Sequence, residues 1–164
     1  MILQFIRKNF SSLLWLFLAI SVAVAIFIFS SQPAAQSDDV SMRVLRKLLE
    51  LCFGGTTEEM VRRYNHFIRK AAHFTIYALF GFCLIGVFQH RQRFSKLAYT
   101  VLVSSVFAAS DEMHQFFVAG RGPRFTDVLI DTAGASVGAL IMIGFLVIFE
   151  RNSAGNAMNG CNTK

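Results

Sequence analysis

The sequence predicts an all-α membrane protein, a bundle of about four transmembrane helices with an amphipathic helical segment between the first and second spans. Two observations carry this. Of the 164 residues, 54% are hydrophobic and only 16% charged, against about 25% charged in an average soluble domain. The apolar residues also fall in runs near the ~20 residues that a helix needs to cross a bilayer core.

The first run, 13–29, has one polar residue, Ser21, and follows Arg7 and Lys8. A cleaved signal peptide shares the basic start. The run is long for that, however, and Ala23-Val24-Ala25 lies inside it rather than after it, so an uncleaved span is predicted. Ser30-Ser31-Gln32-Pro33 ends it. Residues 31–70 then form a helical loop outside the membrane. Within it, Val40, Val44, Leu45, Leu48, Leu49 and Cys52 repeat at helical spacing, with Arg43, Arg46, Lys47 and Glu50 opposite, as in a helix lying in the interface. Gly54-Gly55 stops it, and Thr56 with Glu59 reads as a capping box opening a new helix. Further spans follow at 71–88, 97–118 and 128–149, and residues 151–164 read as a disordered polar tail. Short links make neighbouring spans antiparallel.

The net charge is +6, yet there is no long basic run or RNA-binding motif, so membrane lipids rather than nucleic acid are the expected partner. Cys52, Cys83 and Cys161 form no C-x-x-C pair, which excludes a zinc or redox motif of that type. The expected orientation places both termini in the cytoplasm. A raw tally of Lys and Arg does not favour it. It rests on Arg7 and Lys8 before the first span and on Arg91, Arg93 and Lys96 crowding one short loop.

Polar residues come early in the second span (Arg69, Lys70, His73, Tyr77), late in the third (Asp111, Glu112, His114, Gln115) and early in the fourth (Asp127, Asp131). In alternating helices these are one level of the membrane, and Arg121 and Arg124 lie in the loop at that level. Helical spacing puts Arg69, His73 and Tyr77 on one stripe, Ser104, Ala108, Asp111 and Gln115 on another, and Asp127, Asp131, Gly134 and Gly138 on a third. Gly134-x-x-x-Gly138 allows close helix approach. A charge at mid-membrane costs roughly 2.5–3.5 kcal/mol on insertion scales, so such residues read as functional by default. The competing structural reading is an ion-pair clamp. Lys70 and Glu150 read as interface anchors, and His66, His90 and His114 as interfacial or packed. Asp111, Glu112, His73 and Asp131 are donors that suit several divalent ions. With no ligand-spacing motif, however, neither a metal nor another cofactor is predicted.

Arg69-Lys70-Ala71-Ala72-His73-Phe74 with Tyr77, Asp111-Glu112-x-x-Gln115, Gly120-Arg121 and Asp127-Val128-Leu129-Ile130-Asp131-Thr132-x-Gly134, in that order and spacing, resemble the VanZ-like family. Ser30-Ser31-Gln32-Pro33 also resembles it, and the likeness covers roughly residues 27–145. It implies a multi-pass protein of the bacterial cell envelope, in a family named for a member associated with teicoplanin resistance. The residues it carries over are Arg69, His73, Tyr77, Asp111, Glu112, Gln115, Arg121, Asp127 and Asp131. Ile76 departs from the family, whose members often have a carboxylate before the tyrosine.

Three functions follow as expectations. The first is binding of a lipid-linked or cell-wall precursor ligand at the outer leaflet, by Arg69, Tyr77, Gln115, Arg121, Arg124, Asp127 and Asp131, with acids orienting the arginines. The second is an enzyme with Asp111 or Glu112 as general acid/base and His73 as partner. The third is a proton or ion pathway, which the nearly apolar inner halves of the spans disfavour, or a non-catalytic accessory subunit.

Overall fold

In a computed structural model the described residues are 2–55, 57–88 and 91–161, with side chains over 10–55, 57–88 and 91–153. They form five helices and no strand: α1 (Ile2–Ser30), α2 (Ala34–Phe53), α3 (Glu58–Val87), α4 (Arg93–Gln115) and α5 (Phe125–Cys161). The most extensive packing is α3 on α5; α4 lies mainly on α5, and α1 and α2 lie on α3.

Three of the helices are long and apolar enough to cross a membrane, over Phe10–Ser30, Glu58–Val87 and Phe125–Ser153. In the first, only 11% of the most apolar window is buried in the protein, so its surface suits lipid rather than a soluble core. Midway along it, the Ser21 hydroxyl donates to the Phe17 carbonyl at 2.9 Å and so does not face hydrocarbon as an unpaired donor. The sequence predicts four spans, but α4 falls short of the others in apolarity. Lys96, Asp111 and Glu112 lie within it beside Thr100, Ser104, Ser105 and Ser110. Those polar groups are largely turned inward: Lys96, Thr100, Ser104, Asp111, Glu112 and Gln115 are buried, while Leu102, Val106 and Met113 are exposed.

Several boundaries differ from the sequence reading. Pro33, lacking an N–H, stands between α1 and α2, and α2 starts at once with Ala34, ahead of the periodic residues that begin at Val40. Gly54 ends α2 in the left-handed region, φ 70°, with its N–H donating to the Glu50 carbonyl at 3.0 Å. Thr56 lies outside the described residues. The cap of α3 is Thr57, whose hydroxyl accepts from the Met60 N–H at 3.4 Å. The capped helix and the second span are one unbroken helix of 30 residues. At about 45 Å it exceeds the ~30 Å hydrocarbon thickness, so its Arg62-Arg63 end stands clear of any bilayer that its apolar end occupies. At the other terminus α5 continues as helix to Cys161, where a disordered tail is expected. His90 lies outside the described residues.

Glycines set the central contact. A Cβ on Gly134 would lie 2.4 Å from the Phe74 carbonyl oxygen, and one on Gly138 1.7 Å from that of Ala78. Gly81 returns the contact from α3, with its Cβ position 2.0 Å from the Ala135 oxygen. The G-x-x-x-G therefore brings α3 and α5 backbone to backbone. On the other side of α3, Gly86 lies flat under Trp15 of α1, whose ring would be 2.2 Å from a Cβ.

Candidate functional site

One end of the bundle gathers the charge. The first half of α3 supplies Arg69, Lys70 and His73, the last turns of α4 supply Asp111, Glu112 and Gln115, and the start of α5 supplies Asp127 and Asp131. The 116–124 loop brings Arg121. A cavity of about 20 Å³ is lined by Arg69, Lys70, His73, Glu112, Gln115, Arg121, Asp127, Ile130 and Asp131. That is room for about one water molecule or a small ion. The early, late and early placement along the three helices converges as the sequence indicates.

The deepest groups are Asp131 and Asp111, 1% and 3% exposed. His73 Nδ1 lies 3.8 Å from Asp131 Oδ2, too far for a hydrogen bond. One donor atom each from His73, Asp111 and Asp131 fall within 4.8 Å of one another. Gln115 ties this core to α1, its Nε2 donating to Asp111 Oδ2 at 3.1 Å and to the buried Ser30 hydroxyl at 2.7 Å. Tyr77, fully buried one turn below His73, packs on Phe80 and Phe107 and has no hydrogen-bond partner for its hydroxyl.

Around this core the cations are unequally committed. Lys70 Nζ pairs with Asp127 Oδ1 at 2.9 Å, so Lys70 belongs to the cavity wall rather than being a simple interface anchor. Arg69 pairs with Asp38 of α2 at 3.0 Å, an acid outside the cluster of α4 and α5. Asp38 also accepts from Asn65 at 3.3 Å. Arg124 presents its backbone, the amide donating to Glu112 Oε2 at 2.9 Å, while the residue itself is exposed. Its guanidinium is not part of the cavity lining.

Arg121 is the exception. It is half-buried, and among the described residues no carboxylate lies within 4.0 Å of its guanidinium. Its Nη2 reaches the Phe29 carbonyl at 3.4 Å, and its Nε is buried without a partner. Burial, and then the neighbouring Arg69 cation, hold its pKa below the ordinary arginine value. Gly120, at φ 75°, makes the turn that places it, and the Ala34 N–H donates to the Ala119 carbonyl at 3.1 Å, pinning this loop to the start of α2.

A second, apolar groove of about 270 Å³ runs between α1, α2 and α3. Ile26, Phe29, Val40, Val44, Ile68 and Ile76 form its walls, and Arg69, His73 and Arg121 border both it and the polar cavity.

The VanZ/LLP1 family model matches residues 15–149, a stretch that includes every residue of the cavity and the groove. The chain belongs to the VanZ/LLP1 family. Neither a curated protein nor a solved structure matches it. The family assignment and the apolar helices agree on a membrane protein of the VanZ type.

Sequence reasoning misses Asp38, Ser30 and Lys70 as parts of the site. Ser30 lies in the Ser-Ser-Gln-Pro stretch that resembles the family, so that motif is the signal that could have found it. Asp38 carries no such signal, because on α2 it reads as one more solvated acid. His114 is packed rather than free, stacked on Phe27 at 4.4 Å and within 3.0 Å of the Ser31 hydroxyl.

Proposed function

We propose that this chain is a four-span protein of the bacterial inner membrane that binds the anionic head of a lipid-linked, cell-wall-related ligand at the outer leaflet. By doing so it lowers sensitivity to glycopeptides such as teicoplanin. The observation that carries the reading is Arg121, a half-buried guanidinium without a carboxylate partner where the apolar groove meets the polar cavity. A phosphate or carboxylate would supply the paired acceptors that a guanidinium fork matches. The 270 Å³ groove would take the first part of an acyl or prenyl chain.

Reading α4 as the fourth span rests on its length, about 34 Å for 23 residues, and on its inward-facing polar groups. With Arg7 and Lys8 in the first turns of α1, ahead of its apolar run, Arg91 just before α4 and Arg93 and Lys96 in its first turn, both termini are cytoplasmic. The cluster then faces outward. The test is deletion of the gene and complementation with wild type or an inserted Arg121→Gln chain, scoring teicoplanin sensitivity and lipid-linked precursor levels. Loss of both effects in the variant supports the reading; a deletion that leaves both unchanged contradicts it.

The convergence of His73, Asp111 and Asp131 favours a second reading, an enzyme acting on the same lipid-linked substrate with Glu112 as general acid/base. Glu112→Gln would then abolish turnover while ligand still binds. An accessory subunit would tolerate both substitutions.

A further inference from the structure

We propose that His73, Asp111 and Asp131 form a binding site for one divalent transition-metal ion, Zn2+ or Mn2+. The sequence has no spacing motif for such a site, because its donors come from three helices.

Three observations bear on it. The first is proximity, with one donor atom from each residue within 4.8 Å of the others. Metal–nitrogen and metal–oxygen bonds of about 2.0–2.2 Å hold neighbouring donors roughly 3–4 Å apart. The 3.8 Å from His73 Nδ1 to Asp131 Oδ2 already meets that, and the remaining closure is about 1 Å of side-chain movement.

The second is unspent valence. Both oxygens of Asp131 and Oδ1 of Asp111 are buried without a hydrogen-bond partner, as is the nearby Tyr77 hydroxyl. Buried carboxylate oxygens are rarely left so, because each forfeits hydration with no replacement. The third is charge. Among the described residues, neither aspartate has a Lys or Arg within 4.0 Å; Lys70 is held by Asp127 and Arg69 by Asp38. Two adjacent carboxylates, 1% and 3% exposed, face a single imidazole, and one dication would balance both.

The donor set selects the ion. Imidazole with carboxylates suits Zn2+ and Mn2+, whereas Ca2+ and Mg2+ sites are built from oxygen alone. The neighbouring 20 Å³ cavity, lined by His73 and Asp131, gives space for a water bound to the ion. Gln115 would act as a positioning residue, fixing Asp111 through Oδ2 and leaving Oδ1 for the metal. This inference does not depend on Arg121 recognising a lipid head group, since the ion would bind without any ligand present.

The test uses the full-length untagged chain in detergent, stripped with EDTA and dialysed against Zn2+ or Mn2+, with metal content measured by mass spectrometry. The expected result is one ion per chain, undisplaced by millimolar Mg2+. Binding should weaken at least ~10-fold in Asp131→Asn and in His73→Asn and persist in Asp39→Asn, an exposed acid of α2 away from the site. X-ray absorption on the wild-type chain checks the site without any variant and should show one nitrogen and two or more oxygens at about 2.0–2.2 Å. Substoichiometric metal in the wild type, unchanged affinity in both ligand variants, equal loss in Asp39→Asn, or a sulfur-containing shell would each overturn it.

Discussion

Replacing Gly138 by alanine adds one methyl group where the two most closely packed helices touch. The new carbon would stand 1.7 Å from the Ala78 carbonyl oxygen, which is backbone and cannot swing aside. Restoring an ordinary contact near 3.4 Å requires α3 and α5 to part locally by roughly 1.7 Å. Such a gap forfeits dispersion along the whole seam, and overpacking of this kind costs about 1–3 kcal/mol. The site shares the seam, since Asp131 lies two turns before Gly138 on α5 and His73 lies on α3. The same substitution should therefore also weaken whatever His73 and Asp131 hold together. Gly144, on the same helix, has nothing within 4 Å of its Cβ position, so alanine there should be neutral or slightly stabilising through helix propensity, by less than ~1 kcal/mol. Denaturant unfolding in mixed micelles, followed by circular dichroism, compares the two. Equal stability of Gly138→Ala and Gly144→Ala would refute the backbone-contact account of the fold.

Other perturbations separate the roles of individual groups. Arg124→Ala should leave Glu112 in place, because only the amide of Arg124 is used. Arg124→Pro removes that donor and should destabilise the chain by about 1–3 kcal/mol, as measured by thermal unfolding. Asp38→Ala frees Arg69 from its ion pair and should release α2 from α3, raising hydrogen exchange in α2 while the α3–α5 seam stays protected. A membrane-impermeant thiol reagent applied to intact cells should label the exposed Cys52 and spare Cys161; the reverse pattern would invert the proposed orientation.

Much of this site is legible in the sequence because the bilayer makes polar residues conspicuous. Asp111, Glu112 and Asp131 stand out against apolar spans, and antiparallel succession puts them at one level. Gly134 and Gly138 extend the Asp127–Asp131 stripe, so the face that packs on α3 is readable as well. What is not legible is pairing at long range. Asp38 finds Arg69 across 31 residues and Ser30 finds Gln115 across 85, and no periodicity encodes either. Amide and guanidinium roles are equally hidden. Arg121 and Arg124 look alike in the sequence, yet one is placed at the cavity and the other contributes an N–H. The span count falters at α4 for a related reason. Its hydroxyl residues lower its apolarity, although Thr100 and Ser104 are buried and a lipid would not meet them.

The central claim is that Arg121, at the junction of apolar groove and polar cavity, anchors an anionic lipid head. Dodecyl phosphate and dodecanol present the same chain with and without that charge, and their binding to the purified chain in phosphatidylcholine nanodiscs can be measured by titration calorimetry. The account predicts that the phosphate binds more tightly than the alcohol and that Arg121→Gln reduces its affinity about 10- to 100-fold, the loss of a charge-assisted hydrogen-bonded pair. Equal binding of the two amphiphiles, or unchanged phosphate affinity in Arg121→Gln, would contradict it.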